Sequence, residues 1–466
     1  MGNHADAPEV VGAHLPKAWA STGEARARAL RLVALLALGG GLLTFNLLWL
    51  AAKDLDRVRY FFWFFNAQTV IYLGACVLVV RYDLGRPALL IVLLFAAVLR
   101  LSLIPTAPAL STDIYRYIWD GTVQAHGINP FIYHPAAPEL SHLRDPYVYE
   151  NINRREYALT AYPPAAQLVF LLSALLRPRG LTTLKLIFLV FDFATVGALL
   201  LLLQRLEMNP ARVAVYAWSP LAVWEIAQNG HVDAVAVAFI ALAGLAAAHG
   251  RRGTTGVMLA LAALVKIYPA VLAAAFYKKW DWRMPTAMAA TAAILYTPYL
   301  GAGSSILGFL IHYPHEEGFF SGERFLLLQR LHQLMPMPPT VYLAVAALTM
   351  ISVAAYLALR DKDLKQQLRG CTLLAGLFLL LVSPQYGWYY LWLLPFLSVT
   401  VERVTATQMA GAAVVLLSFA RYHFSKRLTP DLLVAPLAVI ISLVRDAAVQ
   451  WWWLMLLASA AFLSWV

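Results

Sequence analysis

Residues 30–52, LRLVALLALGGGLLTFNLLWLAA, carry a single charged side chain, Arg31. A transmembrane helix needs about 17–25 predominantly apolar residues, so this stretch is long enough to cross a lipid bilayer. Further apolar runs follow at residues 60–80, 87–107, 163–176, 183–203, 232–248, 254–277, 286–300, 339–359, 371–399, 407–420, 430–444 and 449–466. The pattern predicts an all-α polytopic membrane protein with about 12–14 transmembrane helices, a range that reflects the runs interrupted by proline.

The composition supports the same class of protein. Hydrophobic residues make up 61% and charged residues 13% of the 466 positions, whereas a soluble domain typically carries about 25% charged residues. The formal net charge of +11 would suit a nucleic-acid partner, but the basic residues lie at the ends of alternate apolar runs and not in one patch. This distribution argues against nucleic acid and is typical of the basic cytoplasmic loops of a membrane protein.

The basic loops predict how the chain is arranged across the membrane. Because short loops rich in Lys and Arg stay in the cytoplasm, we divide the chain into a cytoplasmic N-terminal segment (1–29), leading transmembrane helices (30–105), a first outer loop (106–161), a transmembrane core (162–300), a second outer loop (301–338) and C-terminal transmembrane helices (339–466). No cleavable signal peptide is expected, since the first apolar run is too long and lacks a small-residue cleavage site. Both outer loops are long and aromatic, so we expect short helices within them.

Prolines interrupt three of the apolar segments, at Pro220, Pro269 and Pro384. We expect each segment to form two short helices that dip into the membrane and return to the same face. The segment with Pro220 decides the side of the motif at residues 229–233. A single crossing would put that motif in the cytoplasm and a hairpin would keep it outside, and the sequence leaves both open.

Isolated polar residues and the two cysteines fall within apolar runs. We expect Arg100, Asp192 and Glu225 to pair between helices, and Cys76 and Cys371 to be buried core residues. The His and Cys spacing matches no metal site, so we expect neither a metal nor another cofactor.

The first outer loop contains STDIYRYIWDG at residues 111–121. Asp113, Arg116 or Tyr117, and Asp120 recur at a spacing of three and four, which places them on one face of a helix. Such a face could be a polar catalytic surface at the membrane. It could also belong to an interfacial helix whose charges face water and whose aromatic residues form a belt.

Four motifs follow one another through the chain. They are residues 113–121 with Asn129-Pro130 and Tyr162-Pro163-Pro164; NGHVD at 229–233; Gly256 with Lys266, Tyr268 and Pro269; and SPQYGWY at 383–389. In this order they resemble the GT-C-type glycosyltransferases, most of all the polyprenyl-phosphate-mannose-dependent enzymes of glycosyltransferase family 87. The chain departs from the simplest pattern of that group, because three helices instead of one precede the first motif.

The resemblance implies roles for individual residues. Asp113 would be the catalytic base that takes the proton of the acceptor hydroxyl as it attacks the sugar. The leaving phosphate needs positive charge or hydrogen-bond donors, and Arg116, Lys266 and Arg324 are the candidates. The other candidate substrate-binding residues are Tyr117, Asp120, Asn129, Tyr162, Gln167, Asn229, His231, Asp233, Tyr268, His312, Tyr386 and Trp388.

Several of these residues have structural alternatives. The side chain of Lys266 could extend to the membrane surface, and the NGHVD motif could simply form a turn. His312 and Arg324 could belong to a solvated loop, and Trp388 could belong to an aromatic belt.

The resemblance implies an inverting transferase that moves a sugar, mannose in the enzymes it resembles, from a polyprenyl-phosphate donor to an envelope acceptor. The acceptor, whether glycolipid, glycan or protein, would be modified on the non-cytoplasmic face, with membrane lipid as a further partner. A bacterial inner membrane with the site facing outward is the expected location. The rival function is a secondary transporter or a flippase; a transporter predicts an internal repeat, and no convincing one is evident.

Overall fold

The computed structural model describes residues 17–52, 57–382 and 386–400. The predicted spans at 407–420, 430–444 and 449–466 lie outside the described residues. So do residues 1–16 of the predicted N-terminal segment and residues 383–385 of the fourth motif, which include Pro384.

The described residues form helices and turns, with no strand among them. In chain order the main helices are α1 (Lys17–Ala51), α2 (Arg57–Arg81), α3 (Gly85–Leu103), α4 (Asp113–Ala125), α5 (Pro164–Leu176), α6 (Leu181–Arg205), α7 (Asp233–Ala248), α8 (Arg252–Ala263), α9 (Arg283–Tyr296), α10 (Leu326–His332), α11 (Pro339–Leu359), α12 (Leu364–Val382) and α13 (Leu394–Thr400). The connections contain short helical turns at Pro138–Leu143, Tyr149–Asn151, Pro210–Val213, Ala214–Ala217, Pro220–Ala222, Val223–Gln228, Tyr268–Leu272, Ala273–Phe276, Thr297–Ile311, Tyr313–Glu316 and Gly387–Leu393.

Within the described residues, six helical stretches are long and apolar enough to cross a membrane: Gly23–Ala51, Trp63–Arg81, Gly85–Leu103, Leu181–Arg205, Arg283–Glu316 and Pro339–Leu359. Two shorter apolar helices, α5 and α7, accompany them. Large apolar side chains such as Leu90 and Leu348 are exposed on the outer surface of the bundle, where a bilayer would cover them. The prediction of an all-α polytopic membrane protein is confirmed.

The first three helices pack together through small and amide side chains. A Cβ atom on Gly39 of α1 would lie 2.4 Å from the ring of Phe95 on α3, so glycine permits this close approach. Asn46 of α1 donates to the carbonyl of Leu99 at 2.9 Å and accepts from Gln68 of α2 at 2.8 Å. These buried amides satisfy one another between helices, as polar groups in an apolar interior must.

The predicted pairing of buried charges holds for two residues and is wrong for the third. Arg100 of α3 forms a fully buried ion pair with Asp192 of α6. The carboxylate of Glu225 instead accepts from Asn229 at 3.0 Å and lies 3.1 Å from His231 Nε2. The π-helical turn Val223–Gln228 directs this side chain toward the turn that follows it, so its contacts are local.

The segment with Pro269 forms the predicted hairpin. After α8 the chain turns at Lys266 and comes back through two short helices that end at Phe276. Arg252 Nη1, at the start of α8, donates to the carbonyl of Phe276 at 3.4 Å, so the two ends of the hairpin lie at the same level. A Cβ on Gly256 would lie 2.3 Å from the carbonyl oxygen of Met284, so this glycine lets α9 pack closely on the hairpin.

The segment with Pro220 is broken into short helices, and its end lies beside the first predicted outer loop. Gln228 Nε2 donates to the carbonyl of Ala107 at 2.7 Å, and Asn229 Oδ1 accepts from the backbone of Leu110 at 3.1 Å. The NGHVD motif therefore lies on the same face as residues 106–161, as expected for a hairpin and not for a single crossing.

Helix α4 lies inside the protein and not on its surface. All residues from Ile114 to Val123 are buried, and a Cβ on Gly121 would lie 2.2 Å from the carbonyl oxygen of Phe170 on α5. Residues 126–161, with two short helical turns, complete the predicted outer loop. An interfacial helix with its charges in water is thereby excluded.

Candidate active site

A cavity of about 780 Å³ opens where the two predicted outer loops meet the tip of the α8 hairpin. We call it the Asp113 cavity. It is lined by Pro108, Ala109, Leu110, Ser111, Thr112, Asp113, Arg116, Asn153, Arg154, Ala158, Leu159, Ala161, Tyr162, Pro163, Lys266, Ile267, Tyr268, Phe309, Leu310, Tyr313, Phe319, Arg324, Phe378, Val382, Tyr386, Trp388 and Tyr389. Its wall thus combines polar groups with a large apolar surface.

Asp113 stands at the N-terminus of α4 and is partly exposed to the cavity. Its Oδ1 accepts from Asn153 Nδ2 at 3.2 Å, and its backbone N–H is bonded to Ser111 Oγ at 3.2 Å. The N-terminal end of a helix stabilises a negative charge. No cation forms an ion pair with this carboxylate in the described part of the chain, so it can accept a proton from a bound hydroxyl.

Lys266 reaches the cavity from the tip of the hairpin. Its Nζ donates to Asp233 Oδ2 at 2.6 Å, and Tyr268 donates to Asp233 Oδ1 at 2.6 Å. The ammonium group also lies 5.1 Å from the ring centre of Tyr389 and 5.8 Å from that of Trp388. Lys266 is therefore held in place and does not extend to the membrane surface.

Hydrogen bonds to buried polar groups hold the side chain of Arg116 in place. Its Nε donates to Asp120 Oδ1 at 2.8 Å, and its Nη1 donates to the carbonyl of Ala158 at 3.0 Å. The other oxygen of Asp120 accepts from Thr160 at 2.5 Å and from Gln167 at 3.2 Å. Asp120 and Gln167 thus position Arg116 and do not themselves line the cavity.

The second predicted outer loop joins the first through ion pairs. Glu317 pairs with Arg324, and its Oε1 lies 3.5 Å from Arg154 Nη2. Arg154 also pairs with Glu316; although burial opposes the charge, the hydrogen bond that Arg154 donates to Glu316 raises the pKa of Arg154 above its usual value. Arg324 Nε has no hydrogen-bond partner among the described residues. Arg324 is therefore part of the cavity wall and not of a solvated loop.

Aromatic rings form a further part of the cavity wall. The ring of Trp388 stacks on His231 with the centroids 4.1 Å apart and on Tyr386 at 4.6 Å. The hydroxyl groups of Tyr313 and Tyr389 lie 3.1 Å apart. Trp388 is buried at the cavity and does not form part of an exposed belt.

The structure brings half of the predicted site residues to the cavity wall: Asp113, Arg116, Tyr162, Lys266, Tyr268, Arg324, Tyr386 and Trp388. The others support the wall or lie apart from it: Tyr117, Asp120, Asn129, Gln167, Asn229, His231, Asp233 and His312. Tyr117 packs behind Tyr162, with the ring centroids 4.8 Å apart. Asn129 donates to the carbonyl of Tyr299 at 3.2 Å.

His312 is predicted to bind substrate, but it lies outside the cavity wall. It is exposed, and its ring lies 6.2 Å from that of Phe309. The sequence does not indicate whether His312 or the adjacent Tyr313 would turn inward. Tyr313, the next residue, does so instead.

Sequence reasoning missed Asn153 and Arg154. They belong to NRRE at residues 153–156, a polar run that is typical of any solvated loop. Arg154 has a positive φ of 56°, which is uncommon for a residue other than glycine. No sequence signal for that conformation is present. Among the residues that the structure describes, no group of three or more His, Cys, Asp or Glu side chains is placed to hold a metal ion.

These helices and this cavity define a polytopic membrane protein with a polar site beneath one face of the bundle. In a comparison with protein families, residues 160–384 match glycosyltransferase family 87. This match supports a GT-C-like membrane glycosyltransferase, the class of protein that the motifs predict. The match covers Lys266 and Arg324 but begins after Asp113. No curated protein matches the chain.

Proposed function

We propose that the protein transfers a sugar from a polyprenyl-phosphate donor to the hydroxyl group of an envelope acceptor, with inversion at the anomeric carbon. The observation that carries this proposal is the cavity itself, in which a carboxylate without an ion-pair partner among the described residues shares one space with several cations and an apolar wall. Mannose is the sugar implied by the resemblance. The glycolipid, glycan or protein acceptor would be modified on the non-cytoplasmic face of a bacterial inner membrane.

Asp113 acts as the base in this proposal. Its carboxylate takes the proton from the acceptor hydroxyl while the oxygen attacks the anomeric carbon from the side opposite the phosphate. The bond between that carbon and the phosphate oxygen breaks, and its electron pair leaves with the phosphate. Asn153, bonded to Asp113 at 3.2 Å, orients the carboxylate for this step.

Lys266 and Arg324 hold the leaving phosphate. The ammonium group of Lys266 has three donors, and the structure accounts for one of them in the bond to Asp233. Arg324 lines the cavity, and its Nε has no hydrogen-bond partner among the described residues. Both can therefore donate to phosphate oxygens as negative charge develops there, which lowers the barrier more than general binding does.

The apolar part of the wall suits a lipid donor. Phe309, Leu310, Phe378 and Val382 line the cavity beside the cations. A polyprenyl chain can leave the bilayer along such a surface while its phosphate remains at the polar end. The match to a glycosyltransferase family favours transfer over the rival functions of transport and lipid flipping.

The test is transfer by the purified protein from radiolabelled polyprenyl-phosphate-mannose to a membrane lipid extract. We expect Asp113→Asn to lower the turnover rate by about 10²- to 10⁴-fold, the usual contribution of a general base. Glu156→Gln is the matched control, because Glu156 is an exposed carboxylate of the same loop that lies outside the cavity. Undiminished transfer by Asp113→Asn would refute the assignment of the base.

A further inference from the structure

A second cavity, of about 370 Å³, lies between the α8 hairpin and the turn that joins α11 to α12. We call it the basic pocket. It is lined by Arg252, Tyr277, Lys278, Arg360, Asp361, Lys362, Asp363 and Gln367. None of these residues lines the Asp113 cavity.

The basic pocket lies at the opposite end of the bundle from the Asp113 cavity. Helix α8 has 12 residues, about 18 Å at a rise of 1.5 Å per residue, and separates Arg252 from Lys266. Helix α11 has 21 residues, about 31 Å. It begins at Pro339, which packs on Gly322 of the second predicted outer loop, and ends beside Arg360. That length matches the apolar thickness of a bilayer, so the two cavities serve opposite membrane faces.

The pocket has an excess of positive charge. Its four cations are Arg252, Lys278, Arg360 and Lys362, and none of them forms an ion pair with a carboxylate in the described ranges of the chain. Two carboxylates also line the pocket, and one of them, Asp363, caps α12 by accepting from the backbone of Gln366 at 2.7 Å. Burial, and then the charge of Arg252, lower the pKa of Lys362. An anion in the pocket would relieve this repulsion.

Gln367 gives the pocket a second recognition element. Its side chain is buried and its Nε2 donates to the carbonyl of Lys362 at 3.3 Å. Its Oε1 has no hydrogen-bond partner among the described residues. A buried acceptor without a donor is costly. A ligand that carries a hydroxyl group beside its negative charge would satisfy it.

The surface of α11 that leads to the pocket is apolar and exposed. Val341, Val345, Leu348, Ile351 and Leu359 are all exposed on this helix, at the spacing of three, four and eight residues that forms one face. In a membrane, acyl chains cover such a face. The pocket therefore combines cations, a hydroxyl acceptor and a path for acyl chains.

We propose that the basic pocket binds the headgroup of an anionic phospholipid, a phosphodiester that ends in a hydroxyl-bearing group such as glycerol. The cations hold the phosphate, Gln367 accepts the hydroxyl hydrogen, and the acyl chains lie along α11. Basic pockets between transmembrane helices are known to recognise anionic lipid headgroups. The site is independent of the transfer reaction and stands even if the substrate of that reaction differs.

The experiment measures lipid binding by native mass spectrometry on the full chain in a neutral detergent. Phosphatidylglycerol, phosphatidic acid, phosphatidylcholine and inorganic phosphate are titrated separately. We expect phosphatidylglycerol to bind most tightly, and Lys362→Gln and Arg252→Gln each to weaken it by about fivefold, or about 1 kcal/mol per basic residue near a membrane surface. Lys362→Arg should retain the affinity because it keeps the charge.

Two further comparisons make the outcome decisive. Lys279→Gln is the matched control, since Lys279 neighbours Lys278 but lies outside the pocket, and it should bind lipid like the wild type. Gln367→Met should reduce the preference for phosphatidylglycerol over phosphatidic acid, a ratio that does not depend on the amount of folded protein. Equal binding by Lys362→Gln and Lys279→Gln would overturn the proposal. If inorganic phosphate at the same concentration displaced the lipid, the ligand of the basic pocket would be a free anion and not a phospholipid.

Discussion

The Asp113 cavity and the basic pocket are both rich in cations, but they differ in how many of these cations form ion pairs with carboxylates. In the Asp113 cavity, Lys266 is paired with Asp233, Arg116 with Asp120, and Arg324 with Glu317. In the basic pocket, the four cations form no ion pair within the part of the chain that is described. The number of cations is similar, and the difference lies in their partners.

This difference suits two kinds of ligand. A cation with a fixed carboxylate partner attracts an anion less strongly than a free cation does, but it costs less to bury and is held in one position. An enzyme must release its charged product, so moderate and well-oriented attraction is an advantage. A lipid that stays bound has no such requirement, and unpaired cations retain it. Variants that change the ion pairing in one of the two sites test this explanation.

The largest effect is expected for Lys266→Met. It removes a phosphate donor and leaves Asp233 fully buried without its cation, which costs about 3–5 kcal/mol of stability. We expect transfer to fall by about 10²- to 10³-fold, as for loss of one donor that stabilises developing charge. The double variant Lys266→Met with Asp233→Asn removes both charges. It should regain the melting temperature but not the transfer rate.

This pair of variants separates a structural role of Lys266 from a role in the reaction. If the double variant transferred sugar at the wild-type rate, the lysine would serve only to neutralise Asp233. The comparison with the other site sharpens the test. Lys362→Gln in the basic pocket leaves no paired carboxylate behind, so its melting temperature should stay close to that of the wild type.

A smaller effect is expected for Glu317→Gln, which makes the Asp113 cavity resemble the basic pocket. Glu317 pairs with Arg324 and with Arg154, and both would lose a negative neighbour. Donor and product should then bind more tightly, by about tenfold for about 1.4 kcal/mol of electrostatic interaction. Because uniform tightening of substrate and transition state lowers KM without raising kcat, we expect KM for the donor to fall and kcat not to rise.

Product inhibition by polyprenyl phosphate measures this effect directly, as a lower inhibition constant in Glu317→Gln. Glu316→Gln is the matched control. Glu316 is more exposed than Glu317 and pairs with Arg154 but not with Arg324, so its removal should change the inhibition constant less. An unchanged constant in Glu317→Gln would show that pairing does not moderate anion binding in the cavity.

The sequence predicts the features that depend on local chemistry. Apolar runs indicate the spans, and Pro269 marks a hairpin whose tip presents Lys266. Asp113 begins a helix, and its spacing of three and seven residues from Arg116 and Asp120 predicts a helix here. These predictions succeed because proline geometry and the cost of an unpaired charge in lipid act on a few neighbouring residues.

Features that depend on tertiary packing could not be predicted in this way. The spacing of Asp113, Arg116 and Asp120 does place them on one helix face, but α4 is buried along most of its length. The first turn of that face meets the cavity, whereas Asp120, almost two turns later, meets Thr160 and Gln167. Likewise the sequence locates the cations of the basic pocket at the ends of apolar runs, but only the fold shows which cations of the two sites have a carboxylate partner.

The smallest effect is expected for Gln367→Glu, which makes the basic pocket resemble the Asp113 cavity. The new carboxylate would take the place of a buried side chain beside Lys362 and pair with the cations there. Binding of phosphatidylglycerol should weaken by about fivefold, the effect of cancelling one basic residue. The transfer rate at saturating donor should not change, because the two sites lie at opposite ends of α8 and share no residue.

Gln366→Glu is the matched control. It is the same change one residue away, outside the pocket, and it preserves the capping box at the start of α12. If Gln366→Glu weakened lipid binding as much as Gln367→Glu did, the added charge would be acting through general repulsion at the membrane surface, and the contrast between paired and unpaired cations would not explain retention.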